Sequence, residues 1–124
     1  MSELHGVVAA HGPLPRALVQ AVEQITGVTG TLTPVSNDDC DRGRLEQRIH
    51  DAIAGRPAVI FVDMPSGSCL FAALARFKTE PDIRVVTGVN LAMLVDFVFH
   101  RTATPAAAAE RAAATGTRAI RVPE

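Results

Sequence analysis

Two residues of this chain combine reactive side chains with positions at the ends of apolar runs. His11 follows the run 6–10, and Asp63 follows the run 58–62. A neutral imidazole acts as a nucleophile when one ring nitrogen is unprotonated and the other ring N–H is held by an acceptor. A carboxylate is such an acceptor, and it stabilises the positive ring that forms during group transfer. The pair therefore suits phosphoryl transfer, which depends on positioning and charge stabilisation.

Backbone N–H groups near both residues are candidates for binding phosphoryl oxygens. Gly12 leads into the helix that follows His11, and the small-residue turn Ser66-Gly67-Ser68 follows Asp63. N–H groups at a helix amino terminus have no partner within the helix and carry partial positive charge. The Ser68 hydroxyl is an additional donor. Position alone also fits plainer roles, with His11 as a polar loop residue and Asp63 or Ser68 as a helix cap.

Four repeats of an apolar strand and an amphipathic helix position these residues. The strands are predicted at 6–10, 31–35, 58–62 and 82–87. The pattern predicts an α/β fold, an open doubly wound sheet of four parallel strands with helices on both faces. Pro34 suits an edge strand, and segment 37–41 and Asn90 offer helix caps. Ligands bind such sheets where the strand order reverses, so the order 2-1-3-4 would bring His11 and Asp63 together.

The last part of the chain departs from this repeat. Pro105 begins an alanine-rich helix that is predicted to reach about Thr115, with Gly116 as its stop. Residues 118–122 then alternate as in a short strand with one wet face. All 124 residues fit a single domain, 1–124, because a chain of this length buries one core and no linker divides it.

Composition and cysteine usage exclude several kinds of function. The formal net charge of −1 argues against a nucleic-acid partner. Residues 1–5 lack the basic region and apolar run of a signal peptide, so we expect none. No apolar run approaches the roughly 18 residues that a membrane helix requires. Cys40 and Cys69 form no C-x-x-C pair, which favours a reduced, cytoplasmic setting. Histidine and cysteine spacing indicates no metal site, and the glycines match no nucleotide-binding pattern, so we expect neither metal nor cofactor.

Three segments in register across the chain carry a family resemblance. They are Ala10-His11-Gly12, Asp63 to Ala73, and Val86-Thr87-Gly88-Val89-Asn90-Leu91-Ala92-Met93-Leu94. These segments resemble the enzyme IIA domain of the mannose-type (mannose/fructose/sorbose family) phosphoenolpyruvate-dependent sugar phosphotransferase system. That family has a Thr-His-Gly-like turn, an Asp followed by a Gly-Gly-Ser-Pro-like turn, and a Val-Thr-Gly-Val-Asn-Leu-Pro-Met-Leu-like segment. The third segment is the most specific, since eight of its nine residues follow the pattern.

The resemblance implies a phosphocarrier. It implies that His11 accepts a phosphoryl group from the phosphocarrier HPr and passes it to a IIB component, with Asp63 as hydrogen-bond partner and Ser68 near the phosphoryl group. It also implies a homodimer, in which the final strand from Arg118 to Val122 pairs antiparallel with the sheet of the other protomer. Association with the membrane components IIC and IID is then indirect.

The sequence departs from the family pattern at several positions, which bear on the phosphate-binding turn, the phosphotransfer rate and the choice of partner. Met64-Pro65-Ser66 replaces a bulky residue and the first glycine of the turn, and Pro65 removes one N–H. Ala92 replaces Pro, and Ala10 replaces Thr.

Two other functions are alternatives to the phosphocarrier. They are a regulatory phosphohistidine module without its own permease and the phosphoryl-donor subunit of a dihydroxyacetone kinase. A response-regulator receiver is disfavoured because the first strand ends in His11 instead of an acidic pair. The sugar is not encoded in this chain.

Overall fold

A computed structural model of the chain describes residues 3–124. Its elements are β1 (His5–Ala10), α1 (Leu14–Thr26), β2 (Leu32–Ser36), α2 (Arg42–Ile53), β3 (Ala58–Val62), α3 (Ser68–Phe77), β4 (Ile83–Val86), α4 (Leu91–Phe99) and α5 (Pro105–Arg118). The strands are parallel in the order β2-β1-β3-β4, which confirms the predicted fold class and strand order. Within residues 3–124, no helix is both long and apolar enough to cross a bilayer.

Two apolar layers pack on the opposite faces of the sheet. The central strands β1 and β3 are buried along their whole length, because helices cover both faces. Val8 and Phe61 face one layer, which includes side chains of α1, α4 and α5, and Val7 and Ile60 face the layer of α2 and α3. Phe61 also packs edge-to-face against Phe97 of α4, with ring centroids 5.1 Å apart. These layers fix the two strands whose ends carry the candidate reactive residues.

Side-chain caps begin three of the helices. Asp41, Asn90 and Thr104 each accept a hydrogen bond from the backbone N–H three residues further on. The caps predicted in segment 37–41 and at Asn90 are thus confirmed. The Asn90 amide also donates to the carbonyl of Gly116, 3.1 Å away, and so ties the start of α4 to the end of α5.

The predicted end of the last helix is wrong. Gly116 lies inside α5, which continues to Arg118, and residues 119–124 form no strand within the described chain. A Cβ on Gly116 would lie 2.8 Å from Met93 Cε and 3.2 Å from Asn90 Oδ1. The glycine is therefore required by the close approach of α5 to α4, and it does not act as a helix stop. Strand pairing by the last residues would require a second chain.

His5 opens β1, as the sequence indicates, and has a structural environment. The residue is 5% exposed, and its Nε2 lies 2.7 Å from Thr33 Oγ1 of β2. Burial, together with the nearby charges of Arg56 and Arg101, lowers the pKa of His5 to about 4. The ring is consequently neutral at neutral pH and supports the pairing of β1 with β2.

Replacing Gly116 with alanine should destabilise the protein, whereas the same change at Gly43 of α2 should not. Alanine is favoured over glycine by up to about 1 kcal/mol in a helix, but overpacking a tight contact costs roughly 1–3 kcal/mol. A Cβ on Gly43 meets only Asp41 Oδ1 at an ordinary 3.6 Å. Urea unfolding should show a lower free energy of unfolding for Gly116→Ala and an equal or higher one for Gly43→Ala. A stabilised Gly116→Ala variant would contradict the tight helix contact.

Candidate active site

The pairing of β1 with β3 brings His11 and Asp63 to the same edge of the sheet. Ala9 pairs with Val62, so the two residues emerge side by side just beyond the carboxyl ends of their strands. Because β2 lies on the far side of β1, strand order reverses here, which is the position where open α/β sheets bind ligands. The juxtaposition predicted from the strand order is present in the structure.

Asp63 holds His11 through two contacts. Its Oδ2 accepts a hydrogen bond from the backbone N–H of His11 at 3.1 Å and lies 2.7 Å from the ring Nδ1. Since a carboxylate oxygen accepts, the ring proton belongs on Nδ1, and Nε2 keeps its lone pair. The His11 side chain is 48% exposed, whereas that of Asp63 is 12% exposed. The carboxylate thus orients the ring from inside the fold, and the ring reaches solvent.

The amino terminus of α3 lies beside the imidazole. Gly67 is the N-cap of this helix at φ 98°, and a Cβ on it would lie 4.0 Å from His11 Cε1. Asp63 therefore does not cap α3, and Ser68 is the first residue of the helix. Because glycine has no side chain, the N-cap residue makes no side-chain hydrogen bond to the N–H groups in the first turn of α3. Ser66 and Ser68 are exposed on either side of Gly67.

Gly12 is held by the end of β2, which sequence reasoning did not anticipate. Its N–H donates to Asn37 Oδ1 at 3.2 Å, and its carbonyl accepts from Ser36 Oγ at 2.9 Å. The φ of Gly12 is 59°, a left-handed conformation that suits glycine. Phosphoryl binding by the Gly12 N–H stays a prediction that requires the bond to Asn37 to open. The sequence signal for this contact was the polar pair Ser36-Asn37 at the end of β2, the strand that neighbours β1.

Exposed apolar side chains flank the pair along the chain. Leu14 begins α1, Met64 follows Asp63, and Phe71 belongs to the first turn of α3, with exposures of 40%, 50% and 50%. The Arg42 guanidinium carbon lies 5.5 Å from the centroid of the Phe71 ring. Large exposed apolar groups beside a polar site are typical of surfaces that contact other proteins.

Comparison with known proteins identifies both a family and a shared fold. A family model described as "PTS system fructose IIA component" matches residues 6–115. No curated protein matches the chain.

Several solved structures have the same fold over nearly the whole chain. The mannose/sorbose-specific IIA subunit of the phosphotransferase system from Enterococcus faecalis has a TM-score of 0.83 and 19% identity, covering 99% of this chain and 96% of that one. Phosphotransferase system component EIIA from Streptococcus agalactiae has a TM-score of 0.88 and 18% identity, covering 96% of each chain. The PTS IIA protein associated with the fucose utilization operon of Streptococcus pneumoniae has a TM-score of 0.75 and 17% identity, covering 98% of this chain and 96% of that one.

Removing the Asp63 carboxylate should change the tautomer of His11. In the native protein, neutral His11 is expected to carry its proton on Nδ1, because Asp63 accepts it. In Asp63→Ala, we expect a shift towards the Nε2–H form, observed in the imidazole ¹⁵N chemical shifts at a pH where the rings are neutral. His100, whose Nδ1 lies 2.8 Å from the Asp96 carbonyl, serves as the internal control. A native His11 that is protonated on Nε2 would contradict the geometry.

Proposed function

Because the chain belongs to the mannose-type IIA family of the sugar phosphotransferase system, we propose that His11 accepts a phosphoryl group from phospho-HPr and transfers it to a IIB component. The observation that carries this proposal is the 2.7 Å contact between His11 Nδ1 and Asp63 Oδ2, on a ring that is 48% exposed. The contact fixes the tautomer, and the exposure leaves Nε2 open to a protein donor.

The transfer uses the two ring nitrogens for different tasks. The Nε2 lone pair of His11 attacks phosphorus, and an N–P bond forms as the bond between phosphorus and HPr breaks. Positive charge then develops on the imidazole, and Asp63 stabilises it by accepting the Nδ1–H hydrogen bond. In the second transfer the Nε2–P bond breaks as the nucleophile of IIB attacks. The proposal requires no cofactor.

Phosphoryl oxygens are proposed to bind at the amino terminus of α3. Gly67 and Ser68 lie at this helix start, and the first-turn N–H groups and the Ser68 hydroxyl are the donors we assign to the phosphoryl group. Pro65 has no N–H, so the exposed part of the turn offers fewer donors and the helix start must supply more of them. The Ser66 N–H is a further candidate donor in this turn, and Gly12 contributes if it releases Asn37.

The flanking apolar residues are proposed to contact the protein partners. Leu14, Met64 and Phe71 are exposed apolar residues on the segments that follow His11 and Asp63 in the chain. HPr and IIB would use this face in turn, since both must bring a reacting group to the same Nε2. Such interfaces are modest and transient, in keeping with passing the group onward. Any association with IIC and IID would then be indirect, through IIB.

Phosphorylation should be measured by intact mass after incubation with phosphoenolpyruvate, enzyme I and HPr. We expect an acid-labile gain of one phosphoryl group in the native chain, none in His11→Ala, and a rate roughly 100-fold or more lower in Asp63→Asn, because the ring loses its orienting carboxylate. His50→Ala, which changes an exposed histidine of α2, should react like the native chain. No gain with HPr and enzyme I from the same organism, or a gain in His11→Ala, would overturn the proposal.

Adding the acceptor separates the phosphocarrier from the alternatives. A IIB component should remove the added mass from the phosphorylated chain. A phosphorylated chain that IIB does not discharge would favour a regulatory phosphohistidine module. Discharge only to a dihydroxyacetone kinase would favour the phosphoryl-donor subunit of that enzyme.

We also propose a homodimer in which the segment from Arg118 to Val122 pairs with the sheet of a second copy, which requires Arg118 to leave the last turn of α5. Ile120 and Val122 are 78% and 96% exposed, and β4 is an edge strand that can accept an added strand. Analytical ultracentrifugation should give a dimer for the full chain and a monomer for a chain that ends at Arg118. A full chain that is monomeric at micromolar concentration, or a shortened chain that still dimerises, would contradict this pairing.

A further inference from the structure

A third reactive side chain lies against the His11 and Asp63 pair. Cys69, the second residue of α3, is 1% exposed. Its Sγ, a carboxylate oxygen of Asp63 and a ring nitrogen of His11 all lie within 4.8 Å of one another. The phosphocarrier proposal uses neither this thiol nor the second oxygen of Asp63. Sequence spacing did not indicate the cluster, because the sheet and the start of α3 bring its members together.

We propose that His11, Asp63 and Cys69 form a binding site for a zinc-type divalent cation. Nitrogen, oxygen and thiolate sulfur together are the donors that Zn²⁺ accepts, whereas Mg²⁺ and Ca²⁺ prefer oxygen alone. At ordinary Zn–ligand distances, tetrahedral ligand atoms lie roughly 3.3–3.8 Å apart. Shifts of about 1 Å or less would therefore bring the three atoms to such a geometry. The exposed side of His11 gives the ion an entry path and leaves a fourth position for water.

A buried oxygen of Asp63 independently points to a missing ligand. Asp63 Oδ2 serves His11, but Oδ1 is buried and has no hydrogen-bond partner among the described residues. Buried carboxylate oxygens ordinarily have partners, and a cation is one that the donor set of this cluster can hold. Position 69 also corresponds to the proline of the Gly-Gly-Ser-Pro-like family turn, so the thiol is a departure of this chain from the pattern.

Ion binding exchanges a proton for the cation, without any oxidation. Burial and the negative charge of Asp63 raise the pKa of the Cys69 thiol to about 11, so the free site holds a neutral thiol. Binding breaks the S–H bond, forms a metal–thiolate bond and releases the proton to water. The ring nitrogen that binds must be unprotonated, so binding through Nδ1 replaces its hydrogen bond to Asp63 and moves the ring proton to Nε2. The cation then offsets the repulsion between thiolate and carboxylate.

An ion at this site would compete with phosphorylation. The cation occupies a nitrogen of the His11 ring and the Asp63 carboxylate, which are the groups that phosphoryl transfer needs. A chain that holds the ion would therefore not accept a phosphoryl group until the ion leaves. This consequence rests on the proposed phosphocarrier function, whereas the ion binding itself does not.

Cobalt titration tests the binding directly. Co²⁺ stands in for Zn²⁺, and a Co²⁺–thiolate bond absorbs in the near ultraviolet, where a chain without Trp or Tyr absorbs little. We expect a band that saturates at one ion per chain and that Zn²⁺ removes. The band should be absent from Cys69→Ala and kept in Cys40→Ala, the matched control at the other cysteine. His11→Ala should weaken binding by about tenfold or more.

Three results would contradict the proposed ion site. The site is overturned if the native chain shows no saturable band, if the band depends on Cys40 instead of Cys69, or if His11→Ala binds as tightly as the native chain. Circular dichroism checks the fold of each variant. If Cys69→Ala does not fold, the test of the ion site is His11→Ala, because a change at an exposed side chain leaves the core packing unchanged.

The mass assay with added Zn²⁺ tests the competition. Zinc should suppress phosphorylation of the native chain, and a chelator should restore it. In Cys69→Ala, the rate with zinc should equal the rate of the same variant without zinc, which controls for effects of zinc on HPr and enzyme I. Suppression that is equal in both chains would contradict the competition. A cobalt band in a chain that HPr never phosphorylates would support the ion site and contradict the proposed phosphocarrier function.

Discussion

The hydrogen bond between His11 Nδ1 and Asp63 Oδ2, 2.7 Å long, is the contact on which the proposed chemistry depends. It determines which ring nitrogen has a free lone pair, and it places a negative charge where the ring would become positive in the proposed transfer. The second bond, from the His11 backbone N–H to the same oxygen, fixes the chain as well as the ring. A half-exposed histidine is thereby held in one orientation without being buried.

The rest of the fold serves to keep these two residues adjacent. β1 and β3 are fully buried neighbours, and two apolar layers pack against them. This packing maintains the strand register that places the Asp63 carboxylate beside the His11 imidazole. Asn37 and Ser36 hold the turn at Gly12, and Gly67 adopts the φ of 98° with which α3 begins beside the ring. The start of α3 also brings the Cys69 thiol close to the pair, which is the cluster proposed to bind a cation.

Local patterns were enough to predict the four parallel strands and the reactive residues at their ends, because buried apolar strands and their polar ends are visible in the sequence. The meeting of His11 and Asp63 followed only on the condition that the strand order is 2-1-3-4. Contacts between distant segments were not visible. Gly116 resembles a helix stop in sequence, yet it is a contact point with Met93 and Asn90 inside α5. Asn37 resembles a helix cap, yet it binds the Gly12 turn, and Asp41 caps α2 instead. In each case a tertiary neighbour decided between two roles that the residue type allows.

The most direct test of the central claim is to determine which ring nitrogen of His11 carries the phosphoryl group. Correlation of ¹⁵N and ³¹P signals in the phosphorylated chain distinguishes Nε2 from Nδ1. The hydrogen bond to Asp63 occupies Nδ1, so we predict that phosphorus is bonded to Nε2 and that Nδ1 keeps its proton. Phosphorus on Nδ1, or on any histidine other than His11, would contradict the role assigned to the pair.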